Sequence, residues 1–534
     1  MSETTSHGSR ALAMAGGTLA SRLTGLFRVL VLAWVLGFTP LADSFNLANT
    51  VPNMLFDLVL GGIASATFIP VFVERLALDG ERRAWKSISS VITGALVVLL
   101  IASGIAWICS PWIIDGFTLL QHPSNVRSIS TLHHQRIVAT SLLRWFVPQI
   151  FFYGVIGIAT ALLNVRHKFG TPAWVPVANN AVCIGVLVWF HIVDPHPTLN
   201  AVQGSHDLLW LGLGTTCGVA LQFLCLVPSL LRSDLFRVSF RFDRRDPAVR
   251  AVSRLGSWTL LVVLANQLSL YVVLAFAFGI GGNGPVSAYT YGWSFMQMPY
   301  AVVVVSVLGS LTPQLARLAT AQDFAGLSER LRFGLRQSLV IIIPCTLVLV
   351  ILAQPIVGVL LNHVNASHRL SAGTVLAILA AGLPGFTIFQ LCVRGLQSMQ
   401  RASEVFVLYA IQNGLTIGLC VALGRHSLAG LTASVSIAYT AASMLAVIAL
   451  ARHHVHIAST VWSLHVRRSL RASLAAALVM ALVYSAPTWD QGIRLIARLL
   501  LSLVLGFVTY VAFVMVSHYG ISRRSSKDAR LRQY

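Results

Sequence analysis

The sequence is short of charge. Only 10% of its 534 residues are Asp, Glu, Lys or Arg, where a soluble globular chain carries about a quarter. Acidic residues are scarcest, 17 against 38 basic ones, and just three of the basic residues are lysine (Lys86, Lys168, Lys527). A chain so poor in charge, with 56% hydrophobic residues, does not cover a water-soluble surface. The seven cysteines (Cys109, Cys183, Cys217, Cys225, Cys345, Cys392, Cys420) stand singly in apolar runs without a CxxC pair. That argues against a disulfide framework or a thiolate metal site. The acidic residues are scattered, and no DxD or HExxH pattern gathers them at one face. Neither an enzyme nor a bound cofactor is therefore expected. The polar start "MSETTSHGSR" precedes a long apolar stretch with no small-residue cleavage site, so no cleavable signal peptide is expected.

What the chain does have is apolar runs from end to end, with a mean hydropathy of +0.77. Fourteen read as membrane spans: 11–37, 44–74, 88–110, 137–163, 173–192, 207–231, 252–279, 285–316, 333–361, 373–399, 404–424, 428–451, 468–486 and 493–517. The longest connectors, 111–136 and 232–251, are too short for a soluble domain. Twenty-nine basic residues fall in one alternate set of loops and ends, five in the other set and four within spans. That asymmetry explains the formal net charge of +21 without nucleic acid, and it predicts that both termini are cytoplasmic.

A faint internal repeat joins "FIPVFVERLALDGE" to "LTPQLARLATAQDF", and "VPQIFFYGVIGIATALLN" to "LPGFTIFQLCVRGLQSMQ", each pair about 240 residues apart. Spans 1–6 and 7–12 then form two parallel copies, an arrangement common in alternating-access transporters. The expected architecture is an all-α polytopic membrane protein with two pseudo-symmetric six-helix lobes and two C-terminal helices. Its parts are a cytoplasmic N-terminus (1–10), an N-lobe (11–231), a basic linker (232–251), a C-lobe (252–451), helices 13 and 14 (468–517) and a basic tail (518–534).

Two charges stand out in "SRLTGLFRVLVLAWVLG", where Arg22 and Arg28 lie inside span 1. A mid-membrane arginine costs about 2.5 kcal/mol or more unless paired or hydrated. Two on one helix imply a hydrated cavity that attracts anions; the bland alternative is that Arg22 snorkels to the interface. In "ADSFNLANTVPN", Asn46, Asn49 and Asn53 share a helical face, and Asp43 precedes them. They line a cavity, with Asp43 balancing the arginines, or they bond packed helices together. Asp57 is one turn further on and pairs with Arg22 or Arg28, or carries a proton. Arg144, at the outer start of span 4, is an interfacial anchor or a substrate contact. Arg254 and Arg394 lie at cytoplasmic span ends, where anchoring explains them and a substrate role is the minor alternative. "GGIASA" (61–66) reads as a close packing face or a bending point. The pairs His133–His134 and His453–His454 read as solvated loop residues.

At "SRLTGLFR", "ADSFNLANTVPN" and "GGIASATFIPVF" the chain resembles the MurJ (MviN) family of lipid II flippases, within the multidrug/oligosaccharidyl-lipid/polysaccharide exporter superfamily. The resemblance runs from about residue 10 to 518 and implies fourteen helices around a cationic cavity. It implies transport of the undecaprenyl-pyrophosphate-linked peptidoglycan precursor across the bacterial inner membrane by alternating access. By motif, Arg22 and Arg28 fall on arginines that engage the pyrophosphate, Asp43 and Asn53 on the family's "D" and "PN" positions, and spans 13 and 14 on a lipid-tail groove. The chain departs from the family where many members carry two arginines after "PN", here Phe56 and Asp57. It departs again where they carry Arg and Glu before a Pro in span 8, here Ser294 and Gln297. The implied partners are lipid II, membrane lipids and cell-wall synthesis proteins; a coupling ion or the membrane potential supplies the energy. A cation-coupled drug or polysaccharide-lipid exporter and a non-transporting scaffold are the alternatives.

Overall fold

The computed structural model describes residues 2–61, 72, 80–121, 126–166, 168–195, 197–202, 206–233, 239–241, 243, 247–280, 284–361, 366–425, 427–485 and 493–531. Residues 62–66 of "GGIASA", most of the first repeat segment and, in the 232–251 linker, residues 234–238, 242 and 244–246 lie outside them. Every regular element among the described residues is helical. Among the described residues, eleven helices are long and apolar enough to cross a membrane. Ala366–Ala381 and Leu383–Ser398, bent by 43° at their junction, make a twelfth span. The fold is therefore an all-α polytopic one, and among the described residues twelve of the fourteen spans read from hydropathy meet that length and apolarity. Helices also stand at the positions of spans 2 and 13. Pro40–Phe56 reaches 17 residues before a π turn begins, and Leu464–Ser485 carries Arg467, Arg468 and Arg471 early in its length.

The chain divides into two compact units, Met1–Thr290 and Tyr291–Tyr534. The first holds α1 (Ser2–Leu36), α2 (Pro40–Phe56), α3 (Gly80–Thr118), α4 (Val126–Phe146), α5 (Pro148–Val165), α6 (Gly170–Val193), α7 (His206–Leu224), α8 (Pro247–Gly279) and the start of α9 (Pro285–Pro299). Local chemistry sets the α1–α2 corner. Gly37 takes φ +63° and returns its N–H to Ala33 O at 3.1 Å, closing α1. Thr39 is extended, its hydroxyl accepts from Ala42 N at 3.1 Å, and Pro40 supplies the preset first helical φ. Helix α1 packs along α6, α6 against α7, α2 against α4, and α8 against α3. Leu100, Ile108 and Trp112 of α3 are more than half exposed, as lipid-facing side chains must be.

The connector expected at 111–136 is largely helix. Helix α3 continues through Pro111 to Thr118, and α4 begins at Val126. Arg136 clamps the two ends, donating from Nε to Thr118 Oγ1 at 2.7 Å and lying 3.4 Å from Asp115 Oδ1. His133 and His134 accordingly sit on α4 rather than in a loop, and His134 Nδ1 donates to Ser130 O at 2.8 Å.

The second unit continues with α10 (Val305–Thr320), α11 (Phe324–Ile351), α12 (Ala366–Ala381), α13 (Leu383–Ser398), α14 (Ala402–Leu419), α15 (Leu428–Arg452), α16 (Leu464–Ser485) and α17 (Ile493–Leu531). Small residues let α13 and α15 approach: a Cβ on Gly382 or Gly385 would come within 2.7 Å of Ser436 or Thr440. Helices α16 and α17 pack on each other and on α11, where the hydroxyls of Ser469 and Tyr510 both donate to Val340 O, at 2.9 and 3.3 Å. Between them lies an apolar cavity of about 570 Å³, lined by residues including Pro344, Val348, Met480, Leu503 and Phe507.

Candidate substrate site

Helix α1 is unbroken through both arginines, with Arg22 exposed and Arg28 half-buried. Asn180 of α6 pins the turn that carries Arg22, donating from Nδ2 to Ser21 O at 3.2 Å and to Thr24 Oγ1 at 3.0 Å. Arg28 reaches across to α5 and α6, where it hydrogen-bonds the Cys183 thiol and interacts electrostatically with Tyr153. A network of neutral groups continues from there. Tyr153 donates to Gln149 Oε1 at 3.3 Å and is hydrogen-bonded to Asn53 of α2. Gln149 Nε2 donates to Thr216 Oγ1 at 3.0 Å, and Cys183 donates to Asn179 Oδ1 at 3.3 Å. Five helices thus meet around one guanidinium. Among the described residues neither Arg22 nor Arg28 is paired with a carboxylate, so no acid among them offsets their positive charge.

The polar stripe of α2 divides by depth. Asp43 is only 2% exposed, and one carboxylate oxygen accepts from Ser287 N at 2.8 Å and Ser287 Oγ at 2.7 Å. Its carboxylate sits at the N-terminus of α9, where exposed N–H groups and the helix dipole favour an anion. The expected balance against the arginines gives way to this structural use. Asn46 is buried beside it and donates to Ser287 Oγ at 3.0 Å. Asn49 is half-buried and its carbonyl accepts from Asn53 Nδ2 at 2.9 Å, while Asn53 itself is exposed. Asp57 opens the π turn Asp57–Gly61, is exposed, and accepts from Gln267 Nε2 of α8 at 3.2 Å. Its partner is thus an amide, not Arg22 or Arg28.

Arg144 is exposed in the last turn of α4, with its guanidinium 5.3 Å from the Trp107 ring centroid. Because α4 begins at Val126, Arg144 lies well within the span Ile129–Val165 rather than at its outer start. Arg254 is in α8, and its side chain is outside the described residues. Ser294 and Gln297 are half-buried on α9 within the second unit. Arg394 is exposed on α13 and interacts with Tyr409, whose hydroxyl donates to Gln390 Oε1 at 3.1 Å.

Residues 32–500 match the family described as lipid II flippase MurJ. The chain belongs to the MurJ family. A lipid II flippase MurJ of Burkholderia cenocepacia is 27% identical over 538 residues, covering 97% of this chain and 99% of the relative. A probable lipid II flippase MurJ of Rhizobium meliloti is 26% identical, covering 89% and 85%. A solved MurJ structure, in an inward closed conformation, shares the fold with a TM-score of 0.76 at 20% identity, covering 96% of this chain and 99% of that one. A multidrug resistance MATE family transporter of the MOP superfamily, in an inward-facing conformation, is similar in fold with a TM-score of 0.65 at 13% identity, covering 84% of this chain and 99% of that one. As a MurJ-family member the chain is a multi-pass bacterial membrane protein of a transporter family.

Sequence reading did not single out Asn180, Tyr153, Gln149, Cys183 or Gln267. The signals were faint: an Asn179–Asn180 pair in an apolar run, and Gln149 four residues before Tyr153 on one helical face.

Proposed function

We propose that this MurJ-family chain moves lipid II from the inner to the outer leaflet by alternating access, with Arg22 and Arg28 receiving its pyrophosphate. The observation that carries this reading is the pair of guanidiniums on α1, held by neutral side chains and lacking a carboxylate partner among the described residues. A pyrophosphate must give up much of its hydration, and charge-assisted arginine–phosphate bonds compensate for that. The cavity between α11, α16 and α17 is long-walled and apolar, which suits the polyprenyl tail. Both termini are cytoplasmic on this reading, which the asymmetry of the basic loops supports. Asp57 is the carboxylate available to a coupling ion, because Asp43 is buried against a helix end. Alternatively the membrane potential acts on the mobile charges themselves. Proteins that make and polymerise the precursor are the natural partners.

The test is expression in bacteria depleted of their own lipid II flippase, with precursor accessibility at the outer face as the readout. Wild type should restore exposure. Arg28→Ala and Arg22→Ala, at matched expression, should each lower it at least tenfold, about 1.4 kcal/mol of lost binding. A well-inserted wild type that restores nothing would overturn the substrate assignment, and active arginine variants would overturn their role.

A further inference from the structure

Three connections in the second unit pass through the left-handed backbone region at residues with side chains: Gln322 between α10 and α11 (φ 56°), Gln400 between α13 and α14 (φ 59°) and His454 after α15 (φ 61°). All three line one polar pocket of about 460 Å³. Its charge is positive. Arg401 and Arg452 line it, both exposed, and neither has a carboxylate partner among the described residues. Two acids are near: Glu404, which also lines the groove beside Arg452, is engaged by His453 Nε2 at 2.9 Å to each oxygen, and Asp323, between the lining residues Gln322 and Phe324, accepts from Gly326 N at 2.8 Å. Arg452 also lines a second groove of about 310 Å³ that runs between α14 and α15. The walls of that groove are apolar, formed by Val407 and Ile411 on one side and Leu445 and Ile448 on the other. Val407 and Ile448 are each about half exposed, at 51% and 52%. From Ser403 at the mouth to Ile411 the groove follows α14 for eight residues, about 12 Å of helix.

We propose that the two cavities together bind one anionic phospholipid, its phosphate between Arg401 and Arg452 and an acyl chain along the α14–α15 groove. A soluble anion would account for the basic pocket but leave the apolar groove beneath it unexplained. A zwitterionic lipid would account for the groove but not for two guanidiniums without a carboxylate partner among the described residues. Arg317, Arg330 and Arg332 belong to the same basic set of loops, so the site faces the leaflet whose anionic lipids attract such loops. The inference does not depend on the transport reading: it concerns a lipid held in place, not one carried across.

The experiment uses the full chain in neutral detergent, with lipid retention counted by native mass spectrometry. Phosphatidylglycerol, phosphatidylcholine and glycerol 3-phosphate are the separate probes. Phosphatidylglycerol should be retained in preference to phosphatidylcholine, and glycerol 3-phosphate should fail to displace it. The double variant Arg401→Gln/Arg452→Gln should weaken phosphatidylglycerol about 30-fold, near the sum of one surface charge contribution per arginine. Ile448→Trp, which fills the groove and leaves the charges, should weaken it as well. Equal retention of both lipids, or an unchanged double variant, would overturn the proposal. So would an unchanged Ile448→Trp, and displacement by glycerol 3-phosphate would make this a soluble-anion site instead. The two variants act on different halves of the site, so if one misfolds the other still decides.

Discussion

At the scale of single residues, this chain uses its few charges in two opposite ways. Arg22 and Arg28 have no carboxylate partner among the described residues, whereas Asp43 has its carboxylate committed to the first turn of α9. Asp43→Ala leaves the buried Ser287 N–H and hydroxyl without that acceptor, at a cost of about 1–3 kcal/mol. It should therefore lower the thermal midpoint of the purified protein, read by fluorescence-detected size exclusion after heating. Asn180→Ala removes two bonds that steady the turn bearing Arg22, so it should depress precursor exposure while Arg22 and Arg28 remain. Normal exposure in that variant would show that the pin is dispensable. The arginines were legible in the sequence because a charge in an apolar run has few explanations. Their neutral supports were not, since Asn, Gln, Tyr and Cys occur in membrane helices as ordinary packing bonds. Asp43 was visible as an acid ahead of a polar stripe, but its partner lies far along the chain and no local pattern names it.

At the scale of elements, the helices followed from apolarity, and their ends followed from cap chemistry where the sequence supplied it. Gly37, Thr39 and Pro40 spell out a corner. The misjudged stretch, 111–136, is polar enough to read as loop, yet α3 and α4 extend through it because backbone bonding continues beyond the apolar zone. The bend between α12 and α13 was also hidden. Both halves are apolar, and the local marks, Gly382 and Pro384, are residues that membrane helices often absorb without breaking. Gly284 is the sharpest elemental constraint. It takes φ +83°, and a Cβ there would lie 2.5 Å from Phe38 Cβ and 2.7 Å from Phe38 Cα. Gly284→Ala should cost at least the 1–3 kcal/mol typical of a strained backbone, seen as reduced yield of monodisperse protein. Phe38→Ala should not rescue it, because the clash is with the main chain of that residue as well as its side chain.

At the scale of the whole molecule, the distribution of basic residues is the feature with the widest reach. If the alternate loops face the cytoplasm, a fluorescent reporter joined after Tyr534 should light up, and a periplasmic phosphatase joined there should stay silent. The opposite pattern would invert every assignment of leaflet made above. Fold class and family were legible at this scale because composition and hydropathy are summed over hundreds of residues and tolerate local error. One bond also has a consequence in time. Asp43 and Ser287 are 244 residues apart, and a ribosome adds about 5–20 residues each second. The acid is therefore made about 12–50 s before the helix end that receives it. For that interval the first hairpin carries an unanswered carboxylate, and whatever shelters it during insertion must release it only when the ninth helix arrives.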